Sequence, residues 1–257
     1  MKRWEGLFRK EWALMKWGIV ILVFIIVAIV VLDVSHLIYR VPEEFATSIQ
    51  LTIGMLFTIH WIYALVMFFD SLGKDMKRSD IWLHSPAPMW QLAGVKGVFV
   101  VFVISCSLLL CGIVIGGFYY VGGGTISVVD IIVQFLRVGL AILLNSIYIM
   151  ALGYFFWSIY QVFRSRIGWL AAVVIVIVLV NVWLYAWWFV WFSEGFQKVK
   201  EMGPFYGSHA MMDLLMHSNY IVPGGTILTI GSICLYGVMT AIYFIAGSIL
   251  FEKKVRF

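Results

Sequence analysis

Long apolar runs separated by short polar stretches dominate the chain. Residues 19–32 and 170–180 are apolar without interruption, whereas membrane β-strands alternate apolar and polar residues in segments of about ten. A transmembrane helix needs about 20 mostly apolar residues. The pattern therefore predicts an all-α polytopic membrane protein. Its six transmembrane helices are expected at residues 17–37, 46–69, 95–121, 129–163, 167–192 and 223–251.

Residues 1–16 have an amphipathic pattern that differs from these runs. One face of a helix here would hold Trp4, Leu7, Phe8, Trp12 and Met15. Most charged residues of the segment lie opposite, which is typical of an interfacial helix with aromatic side chains among the lipid headgroups. Glu11 projects into the apolar face. It indicates either a carboxylate that reaches solvent beside Lys10 or a partner on another helix.

The composition supports the membrane assignment. The chain is 63% hydrophobic and 12% charged, whereas soluble domains carry about a quarter charged residues. All 257 residues are therefore expected to form one transmembrane domain. Cys106, Cys111 and Cys234 lie in apolar runs without the spacing of a metal site, which indicates small buried hydrophobic residues.

The basic residues divide unequally between the two sides of the predicted spans. Fourteen lie in the N-terminal segment, the loop 70–96, the turn at 164–166 and the C-terminal tail. The other side holds three: Arg40, Lys198 and Lys200. The positive-inside rule then predicts a multi-pass protein of the cell membrane with both termini in the cytoplasm and residues 193–222 as an extracellular loop. Because the basic residues lie at span ends and form no patch, the net charge of +5 does not indicate a nucleic-acid partner.

Motifs of catalysis are missing from the sequence. It contains no GxxxxGK[ST], HExxH, GxSxG or CxxC, so there is no phosphate-binding loop, metal-site motif or nucleophile elbow. No span offers an obvious nucleophile with a base in reach. This counts against an enzyme and leaves no catalytic residue or metal ligand to name.

Four polar residues at membrane depth are candidates for lining a transport path: His60, Arg137, Asn145 and Asn181. An arginine in hydrocarbon is costly, so Arg137 either lines a path or extends toward Asp130 from a tilted helix end. The other three either line a path or make hydrogen bonds between helices.

The loop 70–96 is the longest polar interruption on the inner side. Ser79 or Asp80 can cap a short helix, and Pro86 and Pro88 would end it. The apolar patch of this helix consists of Ile81, Trp82 and Leu83. The segment is predicted either to protrude toward a soluble partner or to lie in the interface against lipid.

This loop resembles that of the permease subunits of type-two ATP-binding-cassette exporters. In that family a charged stem precedes a core in which a leucine is followed by Ser/Thr-Pro, and a Gln-Leu pair and a lysine come after it. The corresponding residues here are Lys74, Asp75, Lys77, Arg78, then Leu83, His84, Ser85, Pro86, then Gln91, Leu92 and Lys96. Ser79 and Asp80 stand where the family usually has Gly-Thr. Residues 8–12 resemble the amphipathic elbow helix of the family, with Glu11 as its glutamate, and the ending LFEKKVRF resembles its short charged tail.

The resemblance implies a half-transporter that pairs with a second permease copy or a paralogue. Separate cytoplasmic ATPase subunits of the cassette type would bind ATP and magnesium, so this chain needs no cofactor of its own. The coupling to the ATPase would involve Arg78, Ser79, Asp80, Ile81, Trp82, Leu83, His84, Ser85 and Pro86. The sparse polar residues favour an amphipathic or lipidic cargo. Two alternatives remain: a membrane immunity or sensory subunit that binds a partner without transport, and an intramembrane enzyme that uses His60 or Arg137.

Overall fold

The computed structural model describes residues 2–39, 42–77, 87–121, 128–200, 202–203 and 229–254. These residues form α-helices joined by short turns, and no β-strand occurs among them. The helices are α1 (Lys2–Tyr39), α2 (Pro42–Met76), α3 (Met89–Val121), α4 (Val128–Ile167), α5 (Leu170–Phe192), α6 (Glu194–Lys200) and α7 (Ile230–Lys254).

Within the described residues, four helices contain segments long and apolar enough to cross a membrane. The segments are Trp4–Ile29, Met89–Val114, Phe135–Arg164 and Ile230–Lys253, and α5 contributes a shorter apolar segment, Leu170–Val182. Large apolar side chains cover the outside of the bundle; Trp17 and Phe24 on α1, for example, are 70% and 75% exposed. A continuous apolar exterior of this kind is suited to lipid. The chain is therefore an all-helical, multi-pass membrane protein.

The first three long helices form an antiparallel group. Along α1, Lys10 contacts Asp75 and Gly18 contacts Tyr63, so the residue numbers rise on α1 as they fall on α2. Two further contacts join α2 to α3: Ser71 meets Lys96, and His60 meets Ser107. The N-terminus of α1, the C-terminus of α2 and the N-terminus of α3 therefore lie at the same end of the bundle, which we call the basal end.

Helices α4 and α7 run parallel to each other. Tyr148 of α4 packs on Tyr236 and Tyr243 of α7, and further along Trp157 stacks on Phe251 with ring centroids 5.2 Å apart. The backbone amide of Met89 on α3 contacts Glu252 on α7, which places the C-termini of α4 and α7 at the basal end as well. Met202, which follows α6, accepts a hydrogen bond from the N–H of Gly231 at the start of α7, so α5 returns the chain along the bundle from the basal end to the opposite end.

A glycine turn joins α4 to α5. Gly168 has a φ of 61°, a left-handed conformation that costs glycine little, and its N–H donates to Arg164 O. This turn ends α4 and reverses the chain, so that Ala171 and Ile175 of α5 are buried.

The observed helix bounds differ from the predicted ones in two places. One continuous helix, α1, covers both the predicted interfacial segment 1–16 and the predicted first span. The predicted loop 70–96 is also shorter than expected, because residues 70–76 continue α2 and residues 89–96 already belong to α3. Residues 78–86 and most of the predicted extracellular loop, 204–222, lie outside the described residues.

Candidate functional site

Five polar side chains meet at the basal end, where α1, α2 and α3 pack together. We call them the ion cluster: Lys10, Glu11, Ser71, Asp75 and Lys96. Two are contributed by α1, two by α2 and one by α3. Ser71 and Asp75 are four residues apart, so they lie on the same face of α2.

Lys96 is the centre of this cluster. Its side chain is 1% exposed, and Nζ lies 2.7 Å from Glu11 Oε1 and 2.8 Å from Asp75 Oδ2. It also donates to Ser71 Oγ at 2.5 Å, and the hydroxyl of Ser71 donates in turn to Glu11 Oε2 at 2.5 Å. The contact with Asp75 Oδ2 is an ion pair without the alignment of a hydrogen bond. One buried ammonium therefore joins three helices.

The outer part of the cluster is open to solvent. Lys10, which is 43% exposed, pairs with Asp75 Oδ1 at 2.7 Å. Lys74, directly before Asp75 on α2, pairs with Asp70 at 2.6 Å and donates to Leu14 O on α1 at 3.0 Å. The exposed pairs contribute little to stability, because water screens them. The buried contacts of Lys96 therefore determine how α1, α2 and α3 are held together.

The charges of the ion cluster balance. Two lysines face two carboxylates, so the cluster is neutral as a whole. Moving charges out of water is costly, and a buried ion pair adds stability only when its geometry and remaining hydrogen bonds are good. Removing one member leaves its partner charged and unpaired, at a cost of about 3–5 kcal/mol. The cluster therefore enforces one arrangement of three helices more strongly than it stabilises the bundle.

A carboxylate from the last helix caps α3 at the same end. Glu252 Oε1 accepts a hydrogen bond of 2.6 Å from the backbone N–H of Met89, the first residue of α3. The first turn of α3 has no acidic residue of its own. Helix N-termini leave N–H groups without partners and attract negative charge, so Glu252 stabilises the start of α3 from α7. The residues that follow the segment 78–86 are thus tied to α7.

Of the predicted site residues, Glu11 has the clearest position. The sequence left two alternatives for it, and the structure shows the partner on another helix. Its carboxylate is 3% exposed and contacts both Lys96 of α3 and Ser71 of α2.

The four predicted path-lining residues lie on three different helices. His60 of α2 is fully buried, and its Nε2 lies 2.8 Å from Ser107 Oγ on α3, which is a contact between helices. Arg137 and Asn145 are half-buried on α4. Asn181 is exposed on α5 and donates to Ile177 O at 2.8 Å, so this amide bonds within its own helix and not to another. The side chain of Asp130, the expected partner of Arg137, lies outside the described residues.

The predicted coupling residues, Arg78 to Pro86, lie outside the described residues. The structure describes the two ends of this segment, Lys77 at the end of α2 and Ala87 before α3. Both ends lie next to helices that the ion cluster and the Glu252 cap hold in place.

Sequence reasoning missed Ser71, Asp75 and Lys96 as members of a buried site. The sequence pattern places Asp75 and Lys96 in a polar loop, although Lys96 stands three and four residues before Phe99 and Val100, on the buried face of α3. A lysine at helical spacing with core residues, together with Glu11 on an apolar face, was the available signal.

Comparison with known proteins gave no match to a family model, a curated protein or a solved structure.

Proposed function

We propose that this chain is the membrane permease subunit of an ATP-driven exporter of the ATP-binding-cassette type. In this proposal two permeases enclose a transport path, and separate cytoplasmic ATPase subunits bind at residues 78–86. The observation that carries the proposal is the position of the ion cluster. It joins the two helices that flank residues 78–86 to each other and to α1.

A force applied at residues 78–86 needs a rigid connection to the spans. Asp75 stands three residues before this segment on α2, and Lys96 stands ten residues after it on α3. Their ion pair closes the base of the α2–α3 hairpin, and Glu11 extends the connection to α1. Through the Glu252 cap, α7 is connected to the same hairpin. Movement of the segment would therefore be transmitted to four helices together.

The proposal includes a finer topology for the membrane. Helices α1, α2, α3, α4, α5 and α7 are the six spans, and the basal end faces the cytoplasm because the lysine-rich segments belong to it. The first turns of α1, where Trp4 and Trp12 are exposed, lie in the interface of the cell membrane as the elbow segment. No ATP site is assigned to this chain, since the ATPase would supply it.

The test is copurification of the tagged chain with a cassette ATPase from its native membrane. We expect the complex to hydrolyse ATP in lipid nanodiscs. Trp82→Ala and Leu83→Asp should each lower the amount of bound ATPase at least several-fold, because both remove the apolar patch of the predicted segment.

Trp90→Ala is the matched control. Trp90 is 53% exposed on α3, close in sequence to the segment but outside it, so its loss should leave ATPase binding unchanged. ATPase binding and ATP hydrolysis that survive both Trp82→Ala and Leu83→Asp would refute the coupling role. Purification of a stable complex without any ATPase would favour the alternative, an immunity or sensory subunit.

A further inference from the structure

Two buried polar atoms in the middle of the bundle have no hydrogen-bond partner among the described residues. They are the indole Nε1 of Trp61 on α2 and the hydroxyl Oγ of Ser146 on α4. Ser146 as a whole is 1% exposed. Buried polar groups in proteins are nearly always satisfied, so each such group needs an explanation.

The two atoms belong to the same depth of the bundle. Helices α2 and α4 run in the same direction, since both end at the basal end. They touch where Phe69 and Leu65 lie against Gly153: a β-carbon on Gly153 would stand 2.6 Å and 3.7 Å from their side chains. Trp61 is eight residues before Phe69, and Ser146 is seven residues before Gly153. At about 1.5 Å per residue, both lie roughly 10–12 Å from this contact toward the other end.

The two side chains also lie on facing sides of their helices. Trp61, Leu65 and Phe69 follow one another at intervals of four residues and form one ridge of α2. Ser146, Met150 and Gly153 form the corresponding ridge of α4, at intervals of four and three. Leu65 and Phe69 contact Gly153 where the two ridges meet. Farther from the basal end, the same ridges bring Trp61 toward Ser146.

The neighbouring α2–α3 contact adds two more polar groups at this depth. His60 precedes Trp61 on α2, and its ring lies 2.8 Å from Ser107 Oγ on α3. His60, Trp61, Ser107 and Ser146 therefore form a polar layer between three helices. It lies about 16 Å along α2 from the ion cluster, because Ser71 is eleven residues after His60.

The chemistry of the two atoms defines what they can bind. An indole N–H can only donate, and a serine hydroxyl can donate or accept. We propose that the polar layer is a binding site for one uncharged hydrogen-bond-accepting oxygen, which receives the Trp61 N–H and the Ser146 hydroxyl at the same time. Two sources supply such an oxygen inside a membrane protein: a resident water molecule, or an ester or amide carbonyl of an amphiphile. The second source, taken as transported cargo, rests on the proposed function.

The test is a double-mutant cycle on the full chain purified in detergent, with the apparent melting temperature as readout. The variants are Trp61→Phe, Ser146→Ala and the combination of both. If one ligand accepts hydrogen bonds from both Trp61 and Ser146, each single change should lower the melting temperature by about 2–4 °C. The combination should then lower it by less than the sum, because the first change already weakens the bond that the second removes.

The cycle is measured without and with added monoacylglycerol, whose ester carbonyl is the probe. Coupling without the probe identifies resident water, and coupling that needs the probe identifies an amphiphile carbonyl. If neither condition gives coupling, or if the single changes leave the melting temperature unchanged or raise it in both conditions, the site is overturned. No measurement involves an ATPase, so the result is independent of the proposed function.

Two further variants separate binding from packing. Ser146→Thr keeps the hydroxyl and should preserve the coupling with Trp61→Phe. Loss of the coupling in the Ser146→Thr variant would overturn the hydrogen-bonding role of Ser146. Ser158→Ala is the matched control on the same helix. Ser158 is also fully buried, but it donates to Tyr154 O at 2.9 Å within α4, so its effect should add to that of Trp61→Phe without coupling.

Discussion

At the scale of single residues, Lys96 has the most demanding position in the described part of the chain. A long, flexible cation is almost completely buried, and it is satisfied there by Glu11, Asp75 and Ser71. Ion pairs of this kind hold one arrangement because any shift of a helix leaves charges unpaired. Substitution of Lys96 should therefore have a large effect on stability.

Lys96→Met should lower the free energy of unfolding by about 3–5 kcal/mol, because Glu11 and Asp75 remain buried without their cation. The double change Lys96→Met with Glu11→Gln should be less destabilising than Lys96→Met alone, since it removes a carboxylate together with the lysine. Thermal unfolding in detergent, followed by the loss of the monodisperse chromatographic peak, measures both.

Lys253→Met is the control for this comparison. Lys253 is exposed on α7 at the same end of the bundle and should tolerate the change. If Lys96→Met is no more harmful than Lys253→Met, the ion cluster does not hold the helices as described.

At the scale of elements, the close approach of two helices depends on glycine at a few positions. Gly112 of α3 is one of them: a β-carbon there would overlap the ring of Phe135 on α4. Real atoms do not approach this closely, so α3 and α4 can keep their separation only if residue 112 is glycine or the ring moves. The contact fixes the ends of α3 and α4 that lie away from the basal end.

Gly112→Ala should therefore lower the melting temperature, although alanine favours a helix more than glycine does. Gly117→Ala is the matched change on the same helix, where nothing lies within 4 Å of an added β-carbon. It should be neutral or stabilising by up to about 1 kcal/mol. Phe135→Ala should relieve the effect of Gly112→Ala, and a Gly112→Ala variant as stable as Gly117→Ala would contradict the contact.

The sequence predicts the helical class and most helix positions, because apolar run lengths carry that information locally. It fails at the end of α2, where Asp70, Lys74 and Asp75 suggest a polar stem although their charges are neutralised within and between helices. The sequence also singles out Glu11 on an apolar face, but it does not identify its partner Lys96, which is 85 residues away. Pairings over such distances are set by how the helices pack, which no local pattern contains.

At the scale of the whole molecule, the order of the helices requires that each long helix runs from one end of the bundle to the other. Helices α4 and α7 are parallel, and α5 leads from the end of α4 to α6, which contacts the start of α7. The same alternation holds for α1, α2 and α3. If the bundle spans the membrane, the basal end and the α6 end face opposite sides.

Cysteine labelling tests this arrangement. In a variant without Cys106, Cys111 and Cys234, we expect Lys77→Cys and Lys253→Cys to react with an impermeant maleimide only after the membrane is opened. Met202→Cys, which is 63% exposed after α6, should react in intact cells. Labelling of Met202→Cys and Lys253→Cys from the same side would contradict the arrangement of six spans.

The Glu252 cap has a consequence for biosynthesis. Met89 is synthesised 163 residues before Glu252, so its N–H group lacks this partner while the rest of the chain is being made. At about 5–20 residues per second, this delay is roughly 8–30 s. In the later part of this interval α3 has left the ribosome, but its first N–H group still lacks the Glu252 cap. The start of α3 therefore gains its cap only after the last helix has been made, which delays the final packing of the basal end until the whole bundle exists.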